Sequence, residues 1–128
     1  MRYLLDTNTL IYFMDGTLTT KGFEFVLKAL EAEECALSVI SKIEVLGFPF
    51  PSILQEQQAA KFVNSLPIYH LTEDVVEKTI EIRKSIKPKI ADAIIAATAI
   101  LHGFTLISRN EKDFKHLHGL NFINPFDL

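Results

Sequence analysis

The sequence has a single cysteine, no internal repeat, no low-complexity tract and no excess of positive charge across its 128 residues. One thiol excludes an internal disulfide and fits a reducing compartment. That thiol, Cys35, adjoins the apolar run Ala36-Leu37-Ser38-Val39-Ile40, where a buried, reduced side chain is expected. No apolar stretch approaches the ~20 residues of a membrane span. Met1-Arg2 leads straight into a strand-like segment, without the basic start, apolar stretch and small-residue cleavage site of a secretory signal. A cytoplasmic protein that does not engage a membrane is therefore expected. No linker-like stretch appears either: Gly47–Ser52 is the longest irregular piece, too short to separate domains, so residues 1–128 are expected to form one domain on one core.

The charge balance is mildly acidic, with 13 Lys and Arg against 16 Asp and Glu and a net charge of −3. Dedicated nucleic-acid binders are usually basic, which weighs against that class. The weight is reduced if the negative charge is gathered in one pocket, where a bound divalent ion would offset it. The basic residues are unevenly placed. Lys78, Arg83, Lys84, Lys87 and Lys89 form one group, and Arg109, Lys112 and Lys115 another. Either group is readable as a solvated helix face or as a rim that tracks phosphates.

Strand-like and helix-like segments alternate along the chain. Arg2–Leu5, Glu34–Ile40, Leu66–His70, Phe104–Ile107 and Asn121–Ile123 read as strands. Helices are predicted over Thr9–Met14, Thr20–Ala32 (with Phe23, Val26, Leu27 and Leu30 at helical spacing), Ser41 to Gly47, and Ser52–Asn64. Thr72 caps a further long helix whose first turn carries Glu73 and Asp74, favourable against the helix dipole. Pro88 interrupts that helix and leads into Ile90–His102, which Gly103 terminates. A short helix over Glu111–Leu117 completes the pattern. Such alternation calls for an α/β fold, a three-layer α/β/α sandwich around a mostly parallel central sheet. Sheets of that kind bind ligands beyond the carboxyl ends of their strands.

Acids and amides recur at those ends. Asp6 closes Tyr3-Leu4-Leu5, Glu44 and Asp92 fall in or near the first turns of helices, and Asn110 with Asp113 follows Leu106-Ile107-Ser108-Arg109. Carboxylates at close range raise one another's pKa and need a cation to hold them. A hard, oxygen-seeking ion, magnesium or manganese, suits that donor set, and its usual client is a phosphodiester. Thr7, Asn8 and Ser108 are suitable donors for orienting the acids and bound water. Each position also has a plain structural reading. Asp6 could cap the first helix, Ser41-Lys42-Ile43-Glu44 could be a capping box, Asp92 could answer a helix dipole, and Asn110 could be an N-cap partnered by Asp113. A capping box would compete with any metal for Glu44. Capping does not explain why Asp6 directly ends a buried strand, where a lone carboxylate is costly, or why Asp92 lies on a helix smoothed by Ala91, Ala93, Ala96, Ala97 and Ala99.

Four segments, in order, resemble the PIN-domain ribonucleases, particularly the VapC-type toxins of bacterial toxin–antitoxin pairs. They are Leu4–Asn8, Ser38–Gly47, Ile90–Ala99 and Leu106–Phe114, and together they span almost the whole chain. The resemblance implies a Rossmann-like α/β/α sandwich and a Mg2+- or Mn2+-dependent endoribonuclease with Asp6, Glu44 and Asp92 as its acids. The fourth position, acidic or Asn in the family, falls on the uncharged Asn110, with Asp113 one turn on as a possible source of the missing carboxylate. The resemblance also implies a homodimer and a cognate antitoxin protein. Arg109, Lys89 and Lys112 are the cations expected to meet RNA. Three other readings compete. A non-catalytic PIN-like module binding RNA or protein would fit Asn110 and the negative charge but would not need to keep three acids. A phosphohydrolase using Asp6 as nucleophile would want an acid where Asn8 stands. A zinc site at His116 and His118 lacks cysteine or other partners at ligand spacing, which leaves them as surface histidines.

Overall fold

The computed structural model describes residues 2–85 and 88–128. Its elements are β1 (Tyr3–Leu5), α1 (Thr7–Asp15), α2 (Thr20–Glu31), β2 (Cys35–Ser38), α3 (Val39–Leu46), α4 (Ile53–Asn64), β3 (Ile68–Tyr69), α5 (Glu73–Ser85), α6 (Ile90–His102), β4 (Thr105–Ile107), α7 (Glu111–Phe114), β5 (Asn121–Ile123) and a 3-10 turn at Pro125–Asp127. The five strands form one sheet in the order β3-β2-β1-β4-β5, and every pairing is parallel. The α/β sandwich expected from the alternating pattern is the observed fold. No helix among the described residues is long and apolar enough to cross a membrane.

Side chains alternate across each strand, so successive residues feed opposite layers. Leu4, Ala36 and Leu106 point into a cluster with Val75 and Ile82 of α5, Ala93–Ala97 and Ala99 of α6, and Phe114. Leu5, Cys35, Leu37 and Ile107 point the other way, into a cluster with Leu10, Val26, Val45 and Val63 from α1 to α4. Leu4, Leu5, Leu106 and Ile107 are wholly buried, as residues of a sheet covered on both faces must be. Each contributes roughly 1.5–3 kcal/mol by leaving water. Helix α6 is apolar nearly all round, with Ala93 to Ala99 buried without a break, and its alanines let it lie close to both α5 and the sheet.

Strand order decides where a ligand site falls. From β1 the chain moves outward to β2 and β3, then returns through α5 and α6 to place β4 on the opposite side of β1. Connections leave β1 and β4 in opposite directions, so a crevice opens beyond their carboxyl ends. Residues 6 and 108 stand at that opening.

Several boundaries differ from the sequence reading, one with consequences. The strand expected to reach Ile40 stops at Ser38, whose hydroxyl accepts from the Ile40 N–H and caps α3. The cap therefore lies three residues before Ser41, and the expected Ser41–Glu44 capping box does not form. Ser41 and Glu44 are instead interior residues of α3, one turn apart on a shared face. The helix expected to reach Leu117 ends at Phe114, and the closing 3-10 turn was not anticipated. In that turn Asn124 accepts from the Phe126 N–H, and the Thr19 hydroxyl donates to the Pro125 carbonyl. Gly22 of α2 lies so near this carbonyl that a Cβ would collide with it. Gly22→Ala should thus lower stability by roughly 1–3 kcal/mol through overpacking. An unchanged midpoint in urea denaturation would show that α2 and the turn do not pack this closely.

Candidate active site

Asp6 is the residue on which the site is built. It is 4% exposed, follows the central strand directly, and serves as N-cap of α1. One carboxylate oxygen accepts from the Thr7 N–H at 2.9 Å, and the other from the Ser108 hydroxyl at 2.6 Å. Its own N–H donates to the Ile107 carbonyl at 3.0 Å, and the buried Thr9 hydroxyl donates to that same carbonyl at 2.8 Å. The ends of β1 and β4 are thereby stitched together around one carboxylate. Burial pushes the Asp6 carboxyl above its ordinary range, the Ser108 and Thr7 hydrogen bonds oppose the shift, and the charge of Glu44 adds to it.

Glu44 joins from α3. Its Oε1 accepts from the Thr7 hydroxyl at 2.6 Å, and the buried Ser41 Oγ lies 3.0 Å from the same Thr7 oxygen. The one-turn spacing that suggested a capping box does place Ser41 and Glu44 together, but against the start of α1. Sequence reasoning missed Ser41 as part of the site because it assigned that hydroxyl to the helix terminus. The competition foreseen for Glu44 is accordingly absent.

Asp92 enters from the first turn of α6, next to the N-cap residue Lys89. Its pKa is pushed up to about 6 from the ordinary 3.8, first by burial and then by the charges of Asp6, Asp113 and Glu44, with Lys89 pulling the other way. Asp92 therefore feels carboxylates from three other parts of the chain. Asp113 belongs to this group through its charge, and Asn110 sets its orientation. The Asn110 amide donates to Asp113 Oδ2 at 2.9 Å, while its carbonyl oxygen accepts from the Asp113 N–H at 3.4 Å. Asn110 is itself placed by Ser108, whose hydroxyl oxygen accepts from the Asn110 N–H at 3.0 Å.

The remaining candidates divide. Thr7 and Ser108 touch the acids directly, whereas Asn8 engages through its Oδ1 with the neighbouring Thr9 hydroxyl at 3.3 Å. Lys89 faces Asp92, and Lys112 is exposed on α7. Arg109 is turned onto an aromatic pair, its guanidinium carbon 4.0 Å from the Phe126 ring centre and 5.7 Å from that of Tyr12. Lys78 and Lys84 lie on α5 among Asp74, Glu77 and Glu81, a mixed-charge helix face rather than a rim of one sign. Lys87 lies outside the described residues.

Among the described residues, no three His, Cys, Asp or Glu side chains form a cluster able to hold a metal ion. Magnesium does not need one: it binds one or two carboxylates directly and keeps several waters, which further acids can hold. The donor set here is all oxygen, neighbouring charges raise Asp6 and Asp92 beyond burial alone, and neutral groups orient Asp6, Glu44 and Asp113. Those properties suit a hard divalent ion.

The family model of the PIN domain matches residues 3–120, and the chain belongs to that family. A chain in a toxin–antitoxin complex from Klebsiella pneumoniae is 33% identical, with a TM-score of 0.78 and coverage of 98% of this chain and 99% of that one. The structure of VapBC2 from Rickettsia felis bound to a DNA fragment from its promoter shares the fold. Its TM-score is 0.81 at 24% identity, over 97% of this chain and 98% of that one. Among curated proteins, Ribonuclease VapC1 of Rickettsia felis is 53% identical over 32 residues. That stretch is 25% of this chain and spans 24% of the relative's length.

The raised pKa values fix a pH dependence. A carboxyl whose folded pKa lies above its unfolded value contributes stability below the unfolded value and loses it as pH rises through the folded one. For Asp92 that window runs from about 3.8 to about 6, and the Asp6 shift has the same sign. Without divalent ions, the protein should lose stability across this window. Asp92→Asn should flatten the loss and melt higher than the parent at pH 7. A variant that melts lower at pH 7 would show that the charge of Asp92 is favourably paired, contrary to a repulsive cluster.

Proposed function

We propose that the protein is a divalent-metal-dependent endoribonuclease and the toxin of a toxin–antitoxin pair. The observation that carries this reading is the placement of Asp6, Glu44 and Asp113 where their charges bear on Asp92, at the switch point of a PIN-family sheet. The ribonuclease name of one relative and the toxin–antitoxin complexes among the structural neighbours support it. Magnesium or manganese, when bound, would neutralise charge on the phosphate and acidify a water for attack on phosphorus.

The roles of this chain's residues follow from their surroundings. Asp6 and Asp92 would hold the ion, since burial and neighbouring charge raise both carboxyls and a cation would relieve them. Thr7 aims Glu44 and Asn110 aims Asp113, so that these two carboxylates receive the ion's waters. In this assignment Asn110 supplies no charge. It places the carboxylate one turn further on. Lys89, beside Asp92, is best situated to meet an RNA phosphate, with the exposed Lys112 of α7 as a second candidate. For the antitoxin, an apolar groove of about 550 Å³ runs along α1, α3 and α4, walled by Phe13, Phe48, Phe50 and Phe62. Val45, the neighbour of Glu44 on α3, lines it. A homodimer is part of the same proposal.

RNA cleavage by purified, partner-free protein tests the reading, with Mn2+ or Mg2+ set against an EDTA control. Cutting should require the ion and fall by more than about 100-fold in Asp6→Asn and Asp92→Asn, because each removes a direct ligand. Neither variant should melt below the parent. No cutting by the parent with either ion would return the protein to a non-catalytic RNA- or protein-binding module.

A further inference from the structure

We propose that Arg109 is a positioning residue for the carboxylate site: its guanidinium, stacked on Phe126, locks the loop that presents Ser108 to Asp6 and Asn110 to Asp113. The inference rests on the reading of that cluster as a metal site and goes beyond it by assigning a role to the carboxyl-terminal turn.

Arg109 stands between the two residues that orient acids. Ser108 donates to Asp6, and Asn110 holds Asp113 at both its amide and its carboxylate. The side chain between them is not paired with a carboxylate within salt-bridge distance among the described residues. It lies over Phe126 at 4.0 Å and within 5.7 Å of Tyr12, and those two rings meet edge to face at 5.3 Å. A guanidinium at that separation is attracted to the ring face, and its flat shape stacks where an ammonium would not.

The anchor beneath it is fixed on three sides. Asn124 caps the Phe126 N–H at 2.9 Å, Thr19 holds the Pro125 carbonyl, and Gly22 lets α2 close onto that carbonyl. Strand β5, immediately before the turn, receives the Ser108 N–H on its Ile123 carbonyl at 3.0 Å. Tyr12, the second ring, lies on α1, the helix that Asp6 caps. The stack therefore ties together three segments: the body of α1, which Asp6 caps, the β4–α7 loop, which presents Ser108 and Asn110, and the 3-10 turn at Pro125–Asp127. An Arg109 that served only as a phosphate contact would gain nothing from the two rings being packed against each other beneath it.

The test uses Arg109→Met, which keeps the stem and loses the cation, Phe126→Leu, which keeps bulk and loses the ring, and Phe126→Tyr, which restores the ring. Two readouts are taken on the full chain: Mn2+ affinity by calorimetry, and hydrogen exchange at the Asn110 and Asp113 amides. Arg109→Met and Phe126→Leu should each weaken Mn2+ binding about tenfold, the lower end of what losing an outer support of a metal site costs. Both should speed exchange at those two amides while β1 amides stay protected, and Phe126→Tyr should match the parent. Parental Mn2+ affinity and exchange in Arg109→Met would overturn the proposal, whatever Phe126→Leu does to stability. A rise in KM for RNA confined to Arg109→Met, with Mn2+ affinity unchanged, would identify a phosphate contact instead. If the parent binds Mn2+ but cuts no RNA, the nuclease reading fails while the positioning role is still decided. If it binds no Mn2+, the metal reading fails and the exchange pattern decides alone.

Discussion

A carboxylate buried at the end of the central strand constrains everything around it. Asp6 cannot be left unpartnered in that position, because a desolvated charge without hydrogen bonds costs several kcal/mol. Its two partners, Thr7 and Ser108, come from either side of the crevice, so β1 and β4 must be neighbours with their ends level. The register that pairs Leu5 with Ile107 delivers this, and the intervening hundred residues are arranged to permit it. The two apolar layers follow, since strands feeding opposite faces need helices on both.

The cluster is held in place by neutral groups. Thr7, Ser108 and Asn110 orient the acids, whereas the ion pairs found among the described residues, Arg2–Glu34 and Lys78–Glu81, involve none of the four. This division matters chemically. A hydroxyl or amide fixes a carboxylate's direction and leaves most of its charge available, while a lysine or arginine partner would spend that charge internally. Burial first, and then the charges of the other three acids, lift Asp92 to about 6. Lys89 moderates the excess without cancelling it.

Much of this was legible in the residues. Apolar strand-like runs alternating with amphipathic helices identify the sandwich, and Ile90–His102 is bounded as its alanines, Pro88 and Gly103 predict. The acids at strand ends fall where open parallel sheets bind ligands. Other features were not legible, for identifiable reasons. Val39 and Ile40 are β-branched and read as strand, yet Ser38 supplies a cap and turns them into the first turn of α3. Ser41 looked like a terminus because a Ser three residues before a Glu is the usual sign of one. Only the crossing of α3 with α1 shows that its hydroxyl meets Thr7. The pairing of Asn110 with Asp113 was expected as capping, and the structure shows that the same geometry orients a charge. Arg109 read as a free cation, because periodicity carries no information about a ring that arrives at the chain's end.

The site draws Asp6, Glu44, Asp92 and Asp113 from nearly the full length of the chain, and the last strand lies beyond them all. Local contacts can form as each helix appears, but β4 must close against β1 across about a hundred residues before Ser108 meets Asp6. The amino-terminal half can therefore compact on its own layer of apolar side chains, with Asp6 and Glu44 already joined through Thr7, before Asp92 and Asp113 arrive. Assembly of the pocket waits for β4 and the loop after it, which bring Ser108, Asn110 and Asp113. The topology thus acts as a clock: the pocket is complete only once β4 has taken its place beside β1.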